Sequence, residues 1–253
     1  MTDIVDYPVV VFAVSLVAMA LAAQIGAALA KRGIVDTEAT EYFGAIQAAT
    51  LTLLGLVIGF TFSMAVSRYD QRKNYEEEEA NAIGTEYLRA DLLPEADAAK
   101  VRTALKAYLE QRIAWYEQKD EQLLREIEAR IARLQDELWR AIRPQALAQP
   151  TQIMALVVSG MNDVLNTQGY TQAAWWNRIP PAAWLLMLLL AFCSNVLVGM
   201  GAKARAHRML LFVLPLVVAI AFLLIADIDS PRRGLIAVSP RNLLSFGQSV
   251  GLR

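Results

Sequence analysis

The sequence contains a single cysteine and a single histidine among 253 residues, and this scarcity excludes several kinds of chemistry. Cys193 can form no disulfide within the chain, so cysteine content says nothing about the redox compartment. His207 has no second histidine, cysteine or carboxylate cluster at metal-ligand spacing, so we predict no metal site. The sequence also lacks a glycine-rich phosphate loop and a nucleophile elbow. We therefore predict no catalytic residue, no cofactor and no enzymatic activity.

Charge is also sparse and nearly balanced. Charged residues make up 19% of the chain, the net charge is -1, and 56% of the residues are hydrophobic. A net charge this close to zero gives no reason to propose nucleic acid as a partner. Most charges lie between positions 68 and 143, and the long apolar runs hold almost none. This pattern is typical of a membrane protein, with membrane lipids as its surroundings.

Four apolar runs approach the length of about 20 residues that crosses the hydrocarbon core of a bilayer. We predict spans at 8–30, 43–67, 182–200 and 209–226. No lysine or arginine precedes the first run, so we interpret it as a retained span rather than a signal peptide. Four spans place both termini and the central segment on one side of the membrane. Positive charge borders both sides, so the orientation stays open.

The second apolar run organises the rest of the chain. It continues without a helix breaker from Phe43 to Arg89, which predicts one long helix that is apolar in its first half and charged in its second. Further helices are predicted at 97–118, 121–142 and 151–167, with Pro144 and Pro150 closing the middle one. The predicted fold is an all-α membrane protein with four transmembrane helices and an all-helical extramembrane domain between spans two and three. Its segments are spans one and two (8–67), the helical domain (68–178), spans three and four (179–226) and a tail (227–253).

Two faces of span two carry different kinds of residue. One face is polar at its ends and apolar in the middle, and its predicted pore-lining residues are Gln47, Thr50, Leu54, Ile58, Thr61 and Arg68. Leu54 and Ile58 would form an apolar constriction that gates by dewetting, with Arg68 at the mouth. The neighbouring face carries Gly44, Gly55 and Gly59, which suit close helix packing. The alternative is that the threonines and the glutamine only hydrogen-bond to neighbouring helices.

Acidic residues form two further features. Glu76–Glu79 is a run of four carboxylates, and successive helix positions point about 100° apart, so the run does not converge on one ion. We interpret it as a solvated face. Asp227 and Asp229 follow the last span directly, either as helix caps or as salt-bridge partners of Arg68 or Arg72.

Two motifs point to a family. The segments EANAIGTEYLRADLLP (79–94) and DIDSPRRGLIAVSP (227–240) together resemble the bestrophin-like family of bacterial membrane proteins, and the resemblance covers nearly the whole chain. It implies four spans per subunit, an oligomer that is usually a pentamer, and an anion channel whose pore is lined by span two. The chain lacks the aromatic-rich neck of bestrophins, offering only Phe60 and Phe62. Its acidic run precedes the central domain, whereas the calcium-binding cluster of animal bestrophins follows the last span. The resemblance therefore does not imply calcium gating.

Two functions follow as hypotheses. The leading one is a homo-oligomeric channel of the bacterial inner membrane that conducts small inorganic ions, namely anions such as chloride. Cations would be favoured if Glu76–Glu79 faced the lumen. The alternative is a non-conducting membrane scaffold or sensor whose helical domain binds a protein partner. A ring of identical subunits would favour the channel, and a monomer or dimer would favour the scaffold.

Overall fold

The structure, a computed structural model, describes residues 4–32, 40–201 and 210–252. Every regular element in these ranges is helical, which confirms the predicted all-α class. The α-helices are α1 Pro8–Lys31, α2 Thr40–Arg89, α3 Glu95–Glu117, α4 Glu121–Ala148, α5 Gln152–Trp176, α6 Pro181–Gly201, α7 Val213–Asp229 and α8 Arg241–Ser249. The link before α2 and the segment before α7, which holds His207, fall mostly outside the described residues.

The chain folds into two compact units. The first unit comprises residues 1–69 and 178–237, and the second comprises residues 70–177 and 238–253. The tail after α7 is therefore divided, because residues up to 237 belong to the first unit and α8 belongs to the second.

Helix α2 is a single element of 50 residues, which confirms the prediction of one long helix. At a rise of 1.5 Å per residue it is about 75 Å long. The hydroxyls of Thr50, Thr52 and Thr61 donate to carbonyl oxygens four residues earlier at 2.7, 2.9 and 2.8 Å. These threonines therefore satisfy their hydroxyls without a partner helix.

Three helical segments among the described residues are long and apolar enough to cross a membrane, namely Pro8–Lys31, Tyr42–Leu92 and Gln152–Gly201. The apolar part of the third is α6. Helix α7 corresponds to the predicted fourth span but has 17 residues and follows a 3₁₀ turn at Leu210–Phe212. Pro215 lies in its first turn, where no intrahelical hydrogen bond is lost.

Helices α1 and α6 cross in close backbone contact through two glycines. A Cβ atom on Gly26 would overlap the carbonyl oxygen of Val196, and one on Gly199 would overlap that of Ala23. Small residues permit such an approach between helices in lipid. Asn195, next to this crossing, is buried and donates its Nδ2 to the carbonyl oxygen of Ala191 at 2.7 Å. Its described bond thus stays within its own helix.

In the second unit, helices α3, α4 and α5 share a core. Ile131, Leu138 and Ile142 of α4 are buried in this core. Asp120 caps α4 by accepting the N–H groups of Gln122 and Leu123 at 2.8 and 3.0 Å. Helix α4 is thus a capped amphipathic helix.

Two predicted helix ends are wrong. Helix α4 continues through Pro144 to Ala148, and α5 runs to Trp176 instead of ending at 167. A proline removes only its own N–H, so the N–H groups after it can still bond to earlier carbonyls. Thr151 starts α5 by accepting the N–H of Met154 at 3.2 Å, and the neutral polar residues after Thr167 do not break the helix.

We expect Gly26→Ala to destabilise the first unit by about 1–3 kcal/mol, because the added Cβ meets backbone that cannot rotate away. The measurement is thermal unfolding of the detergent-solubilised protein. Gly169→Ala is the matched control, since Gly169 is an exposed glycine within α5 and a Cβ there meets nothing within 4 Å. Equal melting temperatures for the two variants would contradict the close crossing.

Candidate pore-lining helix and its buried charges

Helix α2 has one buried face within the first unit. Leu54, Thr61 and Ala65 are 2%, 4% and 0% exposed, and Ile58 is half-buried. The core around them is contributed by other helices through Met19, Met187, Ala191, Phe222 and Ile225. The structure therefore places Leu54, the centre of the predicted pore-lining face, inside the subunit.

The remaining residues of that predicted face are more accessible. Gln47, Thr50 and Arg68 are half-exposed. The Nη1 atom of Arg68 is buried and has no hydrogen-bond partner among the described residues. Their pore-lining role stays a prediction.

A second face of α2 is open in the subunit and carries large apolar side chains. Four of them recur at intervals of three, four and four residues and so lie on one side of the helix. They form what we term the apolar stripe: Leu53, Leu56, Phe60 and Met64, which are 46%, 51%, 65% and 40% exposed. In a membrane-spanning segment, exposed apolar side chains of this size face lipid, a neighbouring subunit or a lumen.

The predicted packing glycines lie on a third face of α2, about 140° around the helix from the apolar stripe. A Cβ atom on Gly44, Gly55 or Gly59 would meet nothing within 4 Å. We term these three residues the glycine flank. They make no close helix contact inside the subunit, so their packing role stays a prediction that concerns a neighbouring subunit.

The acidic run is not the solvated face that its sequence predicts. Glu76 and Glu79 are 1% and 0% exposed, whereas Glu77 and Glu78 are exposed. The physical reason is that both buried acids have partners. Glu76 accepts hydrogen bonds from the backbone N–H groups of Asn242 and Leu243 at 2.9 and 3.0 Å, at the start of α8. The Nδ2 of Asn242 adds a bond of 2.6 Å.

Glu79 forms an ion pair with Arg112 of α3, and neither side chain is exposed. The guanidinium donates through Nε to Oε1, and through Nη2 to Oε2 at 3.0 Å. Tyr116 and Thr171 donate hydroxyl hydrogen bonds to the same Oε2 at 3.3 Å each. One carboxylate thus connects α2, α3 and α5.

Aromatic rings enclose this ion pair. The guanidinium carbon of Arg112 lies 4.6 Å from the ring centroid of Trp115 and 5.7 Å from that of Tyr116. Burial alone would lower the pKa of Arg112. The charge and hydrogen bonds of Glu79 have the larger effect, so the pKa of Arg112 is raised. Burial raises the pKa of Tyr108 and of Tyr116, so both phenols stay neutral. The guanidinium of Arg112 therefore keeps its charge inside the protein.

Glu86 is buried without such a partner. Neither carboxylate oxygen has a hydrogen-bond partner among the described residues. Gly160 of α5 makes room for the group, because a Cβ there would overlap Oε2 of Glu86. Burial raises the pKa of Glu86 to about 8, an effect that Arg89 opposes and Asp163 reinforces. The carboxyl is therefore largely protonated at neutral pH.

Arg178, just before α6, links three elements of the first unit. Its Nε donates to Asp229 at 3.0 Å and its Nη1 donates to Asp6 at 2.7 Å. Burial alone would lower the pKa of Arg178, and these two carboxylates outweigh it and raise that pKa. Asp227 closes the turn after α7 by accepting backbone N–H groups of residues 235 and 236 at 2.7 and 2.8 Å.

Sequence reasoning missed the buried charges, although a signal for them exists. Successive steps of three, four, three and four residues along α2 place three acids on one helix face with two apolar residues: Glu76, Glu79, Ile83, Glu86 and Ala90, which directly follows α2. Arg112 lies four residues from both Tyr108 and Tyr116, on the apolar face of α3. A charged residue in an apolar stripe is the pattern that predicts a buried pair.

These helices define the class as an all-α, multi-pass membrane protein. A model of the Bestrophin-like domain matches residues 9–243, which is most of the chain. The chain therefore belongs to the Bestrophin-like family, as the two sequence motifs predict. No curated protein matches the chain.

Crystal structures of a bacterial bestrophin homologue from Klebsiella pneumoniae share this fold. A variant of it with a tyrosine replaced by alanine is 16% identical, with a TM-score of 0.64, over 92% of this chain and 98% of that one. A variant with a tryptophan replaced by alanine is 15% identical, with a TM-score of 0.65, over 94% of this chain and 97% of that one.

We expect Arg112→Met to destabilise the protein by about 3–5 kcal/mol, because it leaves the Glu79 carboxylate buried without its countercharge. Denaturant unfolding in detergent measures this loss. The double variant Glu79→Gln/Arg112→Met should recover part of it. Arg140→Met is the matched control, because that arginine pairs with Asp136 at an exposed site and should contribute about 0–1 kcal/mol. A loss no larger than that of the control would contradict the buried pair.

We also expect stability to fall as the pH rises from 4.5 to about 8, because the folded chain retains a proton on Glu86 that the unfolded chain has released. Glu86→Gln should remove this part of the pH dependence. The measurement is the melting temperature of both proteins across that window. Glu78→Gln, which changes an exposed carboxylate of the same helix, should leave the slope as it is in the unmodified protein.

Proposed function

We propose that this chain is a subunit of a homo-oligomeric channel that conducts small anions across the bacterial inner membrane, with α2 lining the pore. The observation that carries the proposal is the open apolar stripe. Only 17% of the most apolar segment of α2 is buried in the subunit, against 28% for that of α1. Family membership supports the same conclusion, because bestrophins are anion channels.

The burial of Leu54 favours a different side of α2 as the pore-lining side from the one that the sequence predicts. Since Leu54 is packed among the other helices of its own subunit, the apolar stripe is better placed to form the constriction than Leu54 and Ile58. Leu56 and Phe60, four residues apart, would narrow the lumen and gate it by dewetting. Gln47, Thr50, Thr61 and Arg68 would then border the lumen less directly.

The glycine flank supports the oligomer. Gly44, Gly55 and Gly59 leave open space on a third face of α2, and small residues let helices of neighbouring subunits approach closely. A ring of subunits would place the glycine flank between adjacent α2 helices and the apolar stripe at the axis. Five subunits is the number that the family resemblance favours.

Helix α7 is the fourth span in this proposal. Its 17 residues reach about 25 Å, at the short end of the length that spans a bilayer. Four spans keep both termini and the helical domain on one side.

The charges near α2 favour anions over cations. Arg68 borders the apolar half of the helix, and a ring of such residues would raise the local anion concentration. Two of the four acids in the run, Glu76 and Glu79, are buried and bound to partners, so they present no charge to a lumen. The cation alternative is weakened by the same observation.

Replacing Leu56 and Phe60 together with serine should raise chloride flux into liposomes by at least about tenfold, equivalent to a barrier lower by about 1.4 kcal/mol. The physical reason is that a polar constriction stays wet. The matched control is Leu189→Ser/Phe192→Ser, because these residues of α6 are 56% and 42% exposed and lie on another helix.

The mass of the detergent-solubilised particle is measured on the same preparations. A ring of four or more subunits with raised flux in the first variant alone supports the channel. Unchanged background flux in an intact ring would refute the stripe as the gate. A silent monomer or dimer would favour the scaffold function instead.

A further inference from the structure

A cavity of about 470 Å³ opens between α1 and α6 within the first unit. Buried Ser15, Trp184 and Phe222 line its floor, and exposed Val14 and Leu185 line its rim. Pockets that bind small molecules usually measure about 300–1,000 Å³. The cavity therefore has the size of a ligand-binding pocket and not that of a packing defect.

The walls of this cavity are apolar and lie along membrane-spanning helices. The hydroxyl of Ser15 donates to the carbonyl oxygen of Phe12 at 3.1 Å, so it presents no unmet polar group. Along α6 the lining extends from Pro181 to Leu188, which is about 10 Å of helix at 1.5 Å per residue. One leaflet of the hydrocarbon core is about 15 Å deep, half of the 30 Å core. The cavity thus matches the length of an acyl chain segment lying within one leaflet.

Charged groups occur at one end of the cavity. Arg178 and Asp229 belong to its lining, and Arg178 also pairs with Asp6. The described charged residues of the lining are thus one arginine and one aspartate, and such a balanced lining suits a zwitterionic group better than an anionic one.

We propose that this cavity binds one acyl chain of a zwitterionic phospholipid, whose phosphate accepts a hydrogen bond from Arg178. The side chain of Arg178 is 28% exposed, and its described hydrogen bonds use Nε and Nη1. We assign Nη2 to the phosphate oxygen, because arginine suits phosphate recognition. The site depends on the membrane position of α1 and α6 and does not depend on ion conduction.

The test uses a zwitterionic phosphatidylcholine brominated in the middle of one acyl chain, because bromine quenches tryptophan fluorescence on contact. The chain has five tryptophans, so the quenching lost in Trp184→Phe gives the contribution of Trp184. We expect that contribution to saturate at a low ratio of lipid to detergent. A linear rise with lipid would show only bulk lipid contact and overturn the site.

Ala18→Phe should fill the cavity and weaken lipid binding by at least about tenfold. Ala13→Phe on the same helix, outside the lining, should not weaken it. If Ala18→Phe does not assemble, Val14→Phe replaces it, because Val14 is exposed and lines the cavity. Val17→Phe is then the control, because Val17 is similarly exposed (58% against 54% for Val14) and does not line the cavity. Equal binding by the filling variant and its control would overturn the proposal.

Competition with unbrominated amphiphiles tests the head group. A zwitterionic phospholipid should displace the probe at least about tenfold better than a fatty acid of the same chain length. Equal displacement by the two amphiphiles would show that Arg178 does not recognise phosphate and would refute the proposed hydrogen bond from Arg178 to the phosphate. Absence of Trp184 quenching at any lipid ratio would mean that protein, such as a neighbouring subunit, covers the cavity, and it would overturn lipid binding.

Discussion

A peptide group inside hydrocarbon has no water to bond to, so a chain that crosses a membrane must satisfy its N–H and C=O groups within its own helix. Helix α2 does so over its apolar half and continues in the same helical ladder through its charged half. Its threonines follow the same rule, because their hydroxyls bond to the carbonyls of the preceding turn. One unbroken helix therefore carries both an open apolar stripe and a buried acidic face.

The three buried acids of α2 illustrate different solutions to one electrostatic problem. A carboxylate out of water must be paired, bonded or neutralised. Glu76 is bonded by the backbone N–H groups that begin α8, and Glu79 is paired with Arg112. Glu86 lies at a position where Gly160 leaves room for it, and it binds a proton. The protonation of Glu86 depends on pH in the neutral range.

Local sequence signals predicted the helices of this protein well, and long-range partners account for what they missed. The absence of a breaker between Phe43 and Arg89 was sufficient to predict α2. The sequence predicts a solvated face for the acidic run because the partners of its buried acids are distant along the chain. Asn242 follows Glu76 by 166 residues, and Arg112 follows Glu79 by 33. Pro144 does not end α4 as predicted, because a proline removes only one hydrogen bond from a helix that other contacts hold in place.

The sequence by itself determined which segments are helical and which are apolar enough for lipid, because both properties depend on neighbouring residues along the chain. It also determined the family, through two motifs that lie within the matched region. The tertiary structure decided which side of α2 is buried. Leu54 and Leu56 are equally hydrophobic and two residues apart, yet Leu54 is 2% exposed and Leu56 is 51% exposed. Their difference comes from where α1, α6 and α7 pack, and no periodicity within α2 alone specifies that side.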